Sequence, residues 1–234
     1  MYPRYLFFYD WTIIFVIIGS FIAMMASSSM KSTFAKYSRI RSSSGVTGED
    51  AARAILDRNG LSNVRIVPIG GILTDHYDPR NKTVALSETV INSTSIAAVS
   101  VAAHECGHAV QDLQGYFPFN LRSSLVPVVN IGQNLAMPLL ILGYIISSFD
   151  FLIPIGILMF STAFIFQVVT LPVEFNASAR AFDLLEGVGI LNRNEVKSSQ
   201  KVLRAAALTY VAGVAASLLS LIRIIIIFGG RNRD

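Results

Sequence analysis

The sequence is poor in charge and nearly without cysteine. Of its 234 residues, 15% are Asp, Glu, Lys or Arg, where a water-soluble domain carries about a quarter. That shortfall removes the groups that keep a surface wet and points to lipid as part of the solvent. Cys106 is the single cysteine, so an intrachain disulfide and a four-cysteine zinc site are both excluded. The lack of disulfides fits a reducing compartment. Histidine is scarce too: any metal site must be built from His76, His104, His108 and carboxylates. There is no internal repeat, and no low-complexity tract beyond short serine clusters. The net charge of +4 is spread along the chain rather than gathered in one stripe, which speaks for membrane-surface chemistry and against nucleic acid as a partner.

What the chain has in abundance is long apolar runs. Apolar residues make up 53% and the mean hydropathy is +0.55. Four stretches, residues 6–26, 124–149, 151–173 and 205–228, reach the about 20 residues that a helix needs to cross a bilayer. The first resembles a signal peptide at Ala23 to Ser29, yet its apolar run exceeds a signal core of about 7–15 residues, so an uncleaved anchor is expected. The second and third are separated only by Ser147 to Asp150 and should form a helical hairpin. Asn130, Gln133 and Asn134 fall at helical spacing in the second stretch, where they should face other helices or a wet cavity, because lipid cannot satisfy them. Arg223 lies near enough to the end of the fourth to snorkel.

Two polar segments, 27–123 and 174–204, separate these runs. Lys31, Lys36, Arg39 and Arg41 follow the first span; Lys197, Lys201 and Arg204 precede the fourth. Both segments therefore read as cytoplasmic in a multi-pass protein of the cell's inner membrane, with the termini outside. Arg231 and Arg233 lean weakly the other way. The two spans between the segments put both on one side whatever the sign. The fold expected is mainly α: about four transmembrane helices and a small cytoplasmic α+β region with a short β-hairpin.

Local signals order the first polar segment. Thr47 to Asp50 reads as a helix start, with Ala51, Ala52, Ile55 and Leu56 as the apolar face and Asn59-Gly60 as the stop. Residues 64–69 look like a strand, and 73–77 and 83–87 pair as a hairpin around Asp78 to Asn81. After capping candidates at 92–95, a helix should run from Ile96 to about Gln114 and stop at Gly115.

His104-Glu105-Cys106-Gly107-His108 is an H-E-x-x-H sequence inside that last helix. Residues four apart share a helix face, so both imidazoles can reach one Zn²⁺, and Glu105 can act as general base on a water that the cation acidifies. A chance H-E-x-x-H with three histidines is on the order of one in a thousand. A catalytic zinc needs a third protein ligand. The extended motif with a third histidine is absent, since Gln111 and Gln114 occupy its glycine and histidine places. Asp112 lies about 12 Å of helix rise from His104, too far to close the site, though it could orient a ligand. Glu174 is the expected third ligand: it stands at the membrane boundary, opens a helix over 174–185 and faces the same side. Glu88 is the alternative, and Asp183 and Glu186 read as solvated. Cys106 reads as small core packing, Gly107 as a point of close approach. His76 is a candidate donor to a transition-state oxyanion.

At these residues the chain resembles the YugP-type family of membrane zinc metallopeptidases. The resemblance rests on Thr74 to Arg80, Val84 to Glu88, Ala102 to Gln111 and Leu171 to Ser178, in order and at specific spacing. It implies zinc ligands His104, His108 and Glu174, general base Glu105, and substrate pairing as an added strand along residues 83–87. One departure is Ser178, where many related peptidases carry an aspartate four residues after the ligand glutamate; Asn176 or Asp112 could substitute. The function expected is hydrolysis of protein or peptide substrates by a metalloendopeptidase with one zinc per chain. Two alternatives are an intramembrane metalloprotease, disfavoured by Gln111, Asp112 and Gln114 beside the motif, and a non-enzymatic zinc-binding scaffold, disfavoured by the open fourth position and Glu105.

Overall fold

A computed structural model describes residues 10–229. The elements in chain order are α1 (Ile13–Tyr37), α2 (Gly48–Arg58), β1 (Arg65–Ile69), β2 (His76–Asp78), β3 (Thr83–Ser87), α3 (Glu88–Ile91), α4 (Ile96–Leu113), α5 (Phe117–Ile145), α6 (Leu152–Gly187) and α7 (Arg193–Gly229), with a 3₁₀ turn at Ser147–Phe149 between α5 and α6. The start of the first apolar stretch and the basic pair Arg231 and Arg233 lie outside the described residues. The chain sorts into two units: Ser27–Asn120 with Leu171–Leu208, and the described residues up to Ala26 with Leu121–Thr170 and the described residues from Thr209 on.

The first unit is assembled from the helix starts and stops written in the sequence. Thr47 and Asp50 form a reciprocal capping box: the Asp50 amide donates to Thr47 Oγ1 (3.1 Å) and the Thr47 amide to Asp50 Oδ2 (3.0 Å). That arrangement satisfies two of the amides a helix start leaves open. It also holds the exposed Asp50 carboxyl below its ordinary value, chiefly through the Thr47 side-chain hydrogen bond. Ala51, Ala52, Ile55 and Leu56 are fully buried, and α2 ends at Gly60, whose φ of +74° suits glycine. Gly48 meets the backbone of Val90 so closely that a Cβ would collide with the Val90 carbonyl. Helix α4 starts at Ser95, which accepts from the Ala98 amide (3.2 Å), and stops before Gly115 at φ +62°.

The sheet has the order β1-β3-β2, with β1 parallel and β2 antiparallel to β3. The expected hairpin forms, but its first strand is only His76–Asp78, paired with Thr83–Ala85. Leu73, at φ +59°, and Gly71, at φ +103°, turn the chain away before it. The parallel β1–β3 pairing and the short α3 were not read from the sequence. All of β3 is buried; β1 pairs with its whole length and β2 with Thr83–Ala85. Over Thr83–Ala85 it therefore has no free edge for a further strand, contrary to the expectation for residues 83–87.

The second unit is helical. Four helices of the described residues are long and apolar enough to cross a membrane. In the most apolar window of α1 only 6% of residues are buried, and Ile17, Phe21 and Met24 stand exposed. The apolar stretches at 151–173 and 205–228 do not end where polar sequence begins: α6 and α7 run unbroken through those points. Pro172 withholds one backbone donor without ending α6. The α5–α6 hairpin closes through small residues, as helices in lipid do. A Cβ on Gly156 would come within 2.7 Å of the Leu140 side chain, one on Gly143 within 2.9 Å of Ile153, and one on Gly132 would collide with Thr162. Because that face needs small side chains, Asn130, Gln133 and Asn134 are turned away from it and exposed; of the two expected surroundings, a neighbouring helix of this chain is not the one they have.

Candidate metal centre

Helix α4 carries His104 and His108 one turn apart, and α6 brings Glu174 to them. His104 Nε2 lies 3.2 Å and His108 Nε2 3.6 Å from Glu174 Oε2. One ligand atom from each residue lies within 4.8 Å of the others. The Glu174 side chain is 2% exposed, His108 8% and His104 13%. The approach of the two helices depends on Gly107: a Cβ there would sit 2.7 Å from the Ala177 carbonyl oxygen. Glycine inside a helix costs about 1 kcal/mol relative to alanine. Here its missing side chain lets α6 come near enough for a short carboxylate to reach both imidazoles.

The hydrogen bonds behind the imidazoles decide which nitrogen faces the carboxylate. The Gln111 amide nitrogen donates to the Val173 carbonyl (2.8 Å) and to Asn176 Oδ1 (2.9 Å). Both its hydrogens are thereby used, and Gln111 Oε1 is turned to His108 Nδ1 at 3.0 Å. An acceptor there requires a proton on Nδ1, which leaves the Nε2 lone pair toward Glu174. Arg180 Nε donates to the same Asn176 Oδ1 (2.7 Å), and Arg180 also donates to Gln114 Oε1 (2.7 Å). On the other imidazole, Ser178 Oγ lies 3.2 Å from His104 Nδ1 and can accept its proton. The serine that replaces an expected aspartate thus occupies the orienting position itself, with a neutral oxygen.

Gln111 is the residue that sequence reasoning missed. The available signal was its place three residues after His108, on the same helix face. Asp112 does not orient a ligand. Its Oδ2 accepts from Tyr77 Oη (2.7 Å) and Lys82 Nζ (2.5 Å), because one residue's rotation around α4 turns it to the sheet. That bond secures β2 against α4, and burial, reinforced by Asp112, raises the Tyr77 phenol above its usual range. Asn176 reaches His108 only through Gln111.

Glu105 is buried beside the cluster, and burial pushes its carboxyl up to about 7 despite the opposing pull of His104. His76 is exposed on edge strand β2, with Nδ1 2.9 Å from the Thr74 carbonyl oxygen, and it acts electrostatically on Glu105 together with Asp75. Asp75 accepts from the Ser87 amide (2.6 Å) and hydroxyl (3.0 Å), anchoring the turn that leads into β2. Glu88 is exposed at the start of α3 and is not part of the cluster; Asp183 and Glu186 are exposed as well. Cys106 is fully buried, with its thiol against the Ala52 carbonyl (3.7 Å) and raised by burial above its usual range. It is core packing.

The donor chemistry fits zinc. Two imidazole nitrogens and one carboxylate oxygen are the three-ligand set of a catalytic site, and each imidazole has its remote nitrogen held by an oxygen, as metal-binding histidines do.

Glu105 beside such a cluster, on an H-E-x-x-H helix, is the arrangement of a zinc metallopeptidase, and residues 12–229 match the family model described as "Putative neutral zinc metallopeptidase"; the chain belongs to that family. It is 48% identical over 214 residues to the "Putative membrane protease YugP" of Bacillus subtilis (strain 168), covering 91% of this chain and 95% of that protein. No solved structure matches it significantly.

The Gln111 bridge can be tested directly. Gln111→Leu keeps the side chain's bulk but removes both the acceptor for His108 and the tie to α6. Zinc affinity is expected to fall about 10- to 100-fold, measured by competition with a chromogenic chelator. Unchanged affinity would show that His108 needs no such partner.

Proposed function

We propose that this chain is a membrane-embedded zinc metalloendopeptidase, with the metal held by His104, His108 and Glu174 and with Glu105 as general base. The observation that carries this reading is the convergence of His104 Nε2, His108 Nε2 and Glu174 Oε2 under hydrogen bonds that set the imidazole tautomers. Zinc bound there supplies Lewis acidity for attack of water on a peptide carbonyl. Glu105 takes the proton of the attacking water and returns it to the leaving amine. His76 has Nδ1 engaged with Thr74, so it donates to developing negative charge only through a protonated Nε2. An extended substrate pairs with the free edge of β2, since Thr83–Ala85 of β3 is covered on both sides.

The experiment that tests the reading joins stoichiometry to turnover. Protein purified without added metal is expected to contain one zinc per chain and to cleave peptides, with cleavage lost on chelation and restored by zinc. Protein with no zinc and no tight uptake on titration would sink the proposal.

The four apolar helices are read as membrane spans, with the metal centre on the cytoplasmic side of the inner membrane. In a Cys106→Ala background, cysteines placed at Lys36 and Arg193 are expected to react with an impermeant thiol reagent only from the cytoplasmic face. Labelling of the two from opposite faces would separate the segments that build the site.

A further inference from the structure

Beside the metal centre, on the next face of α6, lies a groove that the peptidase reaction does not use. Its volume is about 400 Å³, within the range of small-ligand sites. Phe175, Ala179 and Phe182 of α6 and Leu203, Ala207 and Leu208 of α7 give it apolar walls, and Phe175 and Leu208 are about half exposed. Two polar residues also line it: Ser178, which touches His104, and Arg204. Arg204 is not isolated. Lys197, Lys201 and Arg204 fall at one helix face of α7, all exposed, and none is ion-paired among the described residues. Leu208 continues that face into apolar sequence. The acidic Asp183 and Glu186 of α6 are exposed outside the groove.

We propose that this groove binds an anionic phospholipid of the bilayer, with an acyl chain between α6 and α7 and the phosphate at Arg204. The inference rests on the membrane reading of the apolar helices. On that reading the groove opens where the apolar runs of both helices give way to polar sequence, at the depth of the headgroups. Apolar walls with a cationic rim match a lipid that is negative at the head, and basic residues near a bilayer surface attract anionic lipid. The wall shared with Ser178 places the lipid against the residue that orients His104, so occupancy supports the metal centre.

The test uses the full chain in nanodiscs. Trp11 is the sole tryptophan; in a Trp11→Phe background, Phe182→Trp puts a reporter in the groove wall. Phosphatidylglycerol with brominated chains is expected to quench that reporter more effectively than brominated phosphatidylcholine, by a factor on the order of 10 in half-saturating mole fraction. Arg204→Gln should abolish the preference. With native Trp11 and Phe182 retained, Ala207→Trp fills the groove and should remove the dependence of peptide hydrolysis on phosphatidylglycerol while zinc content stays unchanged. Equal quenching by both lipids, unaffected by Arg204→Gln, would overturn the proposal. So would an Ala207→Trp enzyme that changes which peptide bond is cut but keeps its response to phosphatidylglycerol, since the groove would then hold a substrate side chain. Protein that fails to incorporate into nanodiscs of either lipid would overturn the membrane reading and this proposal with it, whereas incorporated protein without lipid preference would overturn this proposal alone.

Discussion

Glu105→Gln is expected to lower kcat/KM for peptide hydrolysis by at least about 100-fold, the lower end of what a positioned general base contributes, while leaving one zinc per chain. Glutamine matches glutamate in shape, so the buried pocket around residue 105 is not emptied. The amide cannot take a proton from water, which is the capacity the proposed mechanism needs. Metal analysis and peptide cleavage on the same preparation separate two readings. A zinc-loaded, inactive variant supports the peptidase. A variant as active as the parent would remove Glu105 from the chemistry, and if neither protein cleaved any peptide while both held zinc, a structural scaffold would become the better account.

Glu174→Ala is expected to weaken zinc binding by about 10-fold or more, because loss of a direct ligand should cost at least as much as loss of a residue that only orients one. Glu174→Gln should be nearly as harmful, since a neutral amide is a poor zinc ligand. Activity should fall with occupancy and recover in part at high zinc. This pattern contrasts with Glu105→Gln, where added zinc restores nothing. Both Glu174 variants leave Gly107 and the Gln111 bridge to Val173 in place, so α6 keeps its position and the readout concerns the ligand. Full affinity in Glu174→Ala would return Glu174 to a buried partner of two histidines.

Much of the first unit was legible because helix ends are local chemistry. The Thr47–Asp50 box and the stops at Gly60 and Gly115 each involve side chains and amides within a few residues and stand where the sequence puts them; of the capping candidates at 92–95, the structure selects Ser95. The approach of Gly107 was legible for a related reason: a glycine inside a buried helix face has few uses other than contact. The sheet was less so. Alternation signals a strand but not its partner, and the parallel β1–β3 pairing joins Arg65 to Thr83 across an intervening strand. Polarity alone left two surroundings open for the carboxamides of α5, another helix or a wet cavity, and they are exposed rather than packed on a helix of this chain. The competing demand, small residues where α5 meets α6, settled which face turned inward.

The sequence alone determined the lipid-seeking composition, the four apolar runs, the two imidazoles on one helix face and Glu105 beside them, since each depends on composition or on spacing within one turn. It also put Glu174 first among the candidate third ligands, from its place at the end of an apolar run, with Glu88 left open. Only the tertiary structure decided that Glu174 Oε2 comes within 3.6 Å of both imidazoles, that Gln111 sets the His108 tautomer through Val173 and Asn176, that Ser178 fills the place of an absent aspartate, and that Asp112 serves the sheet instead. Apart from the His108–Gln111 bond within α4, these contacts span 30 to 74 positions of chain. Those between α4 and α6 exist because the two helices approach at a glycine, and no local spacing encodes where two helices cross.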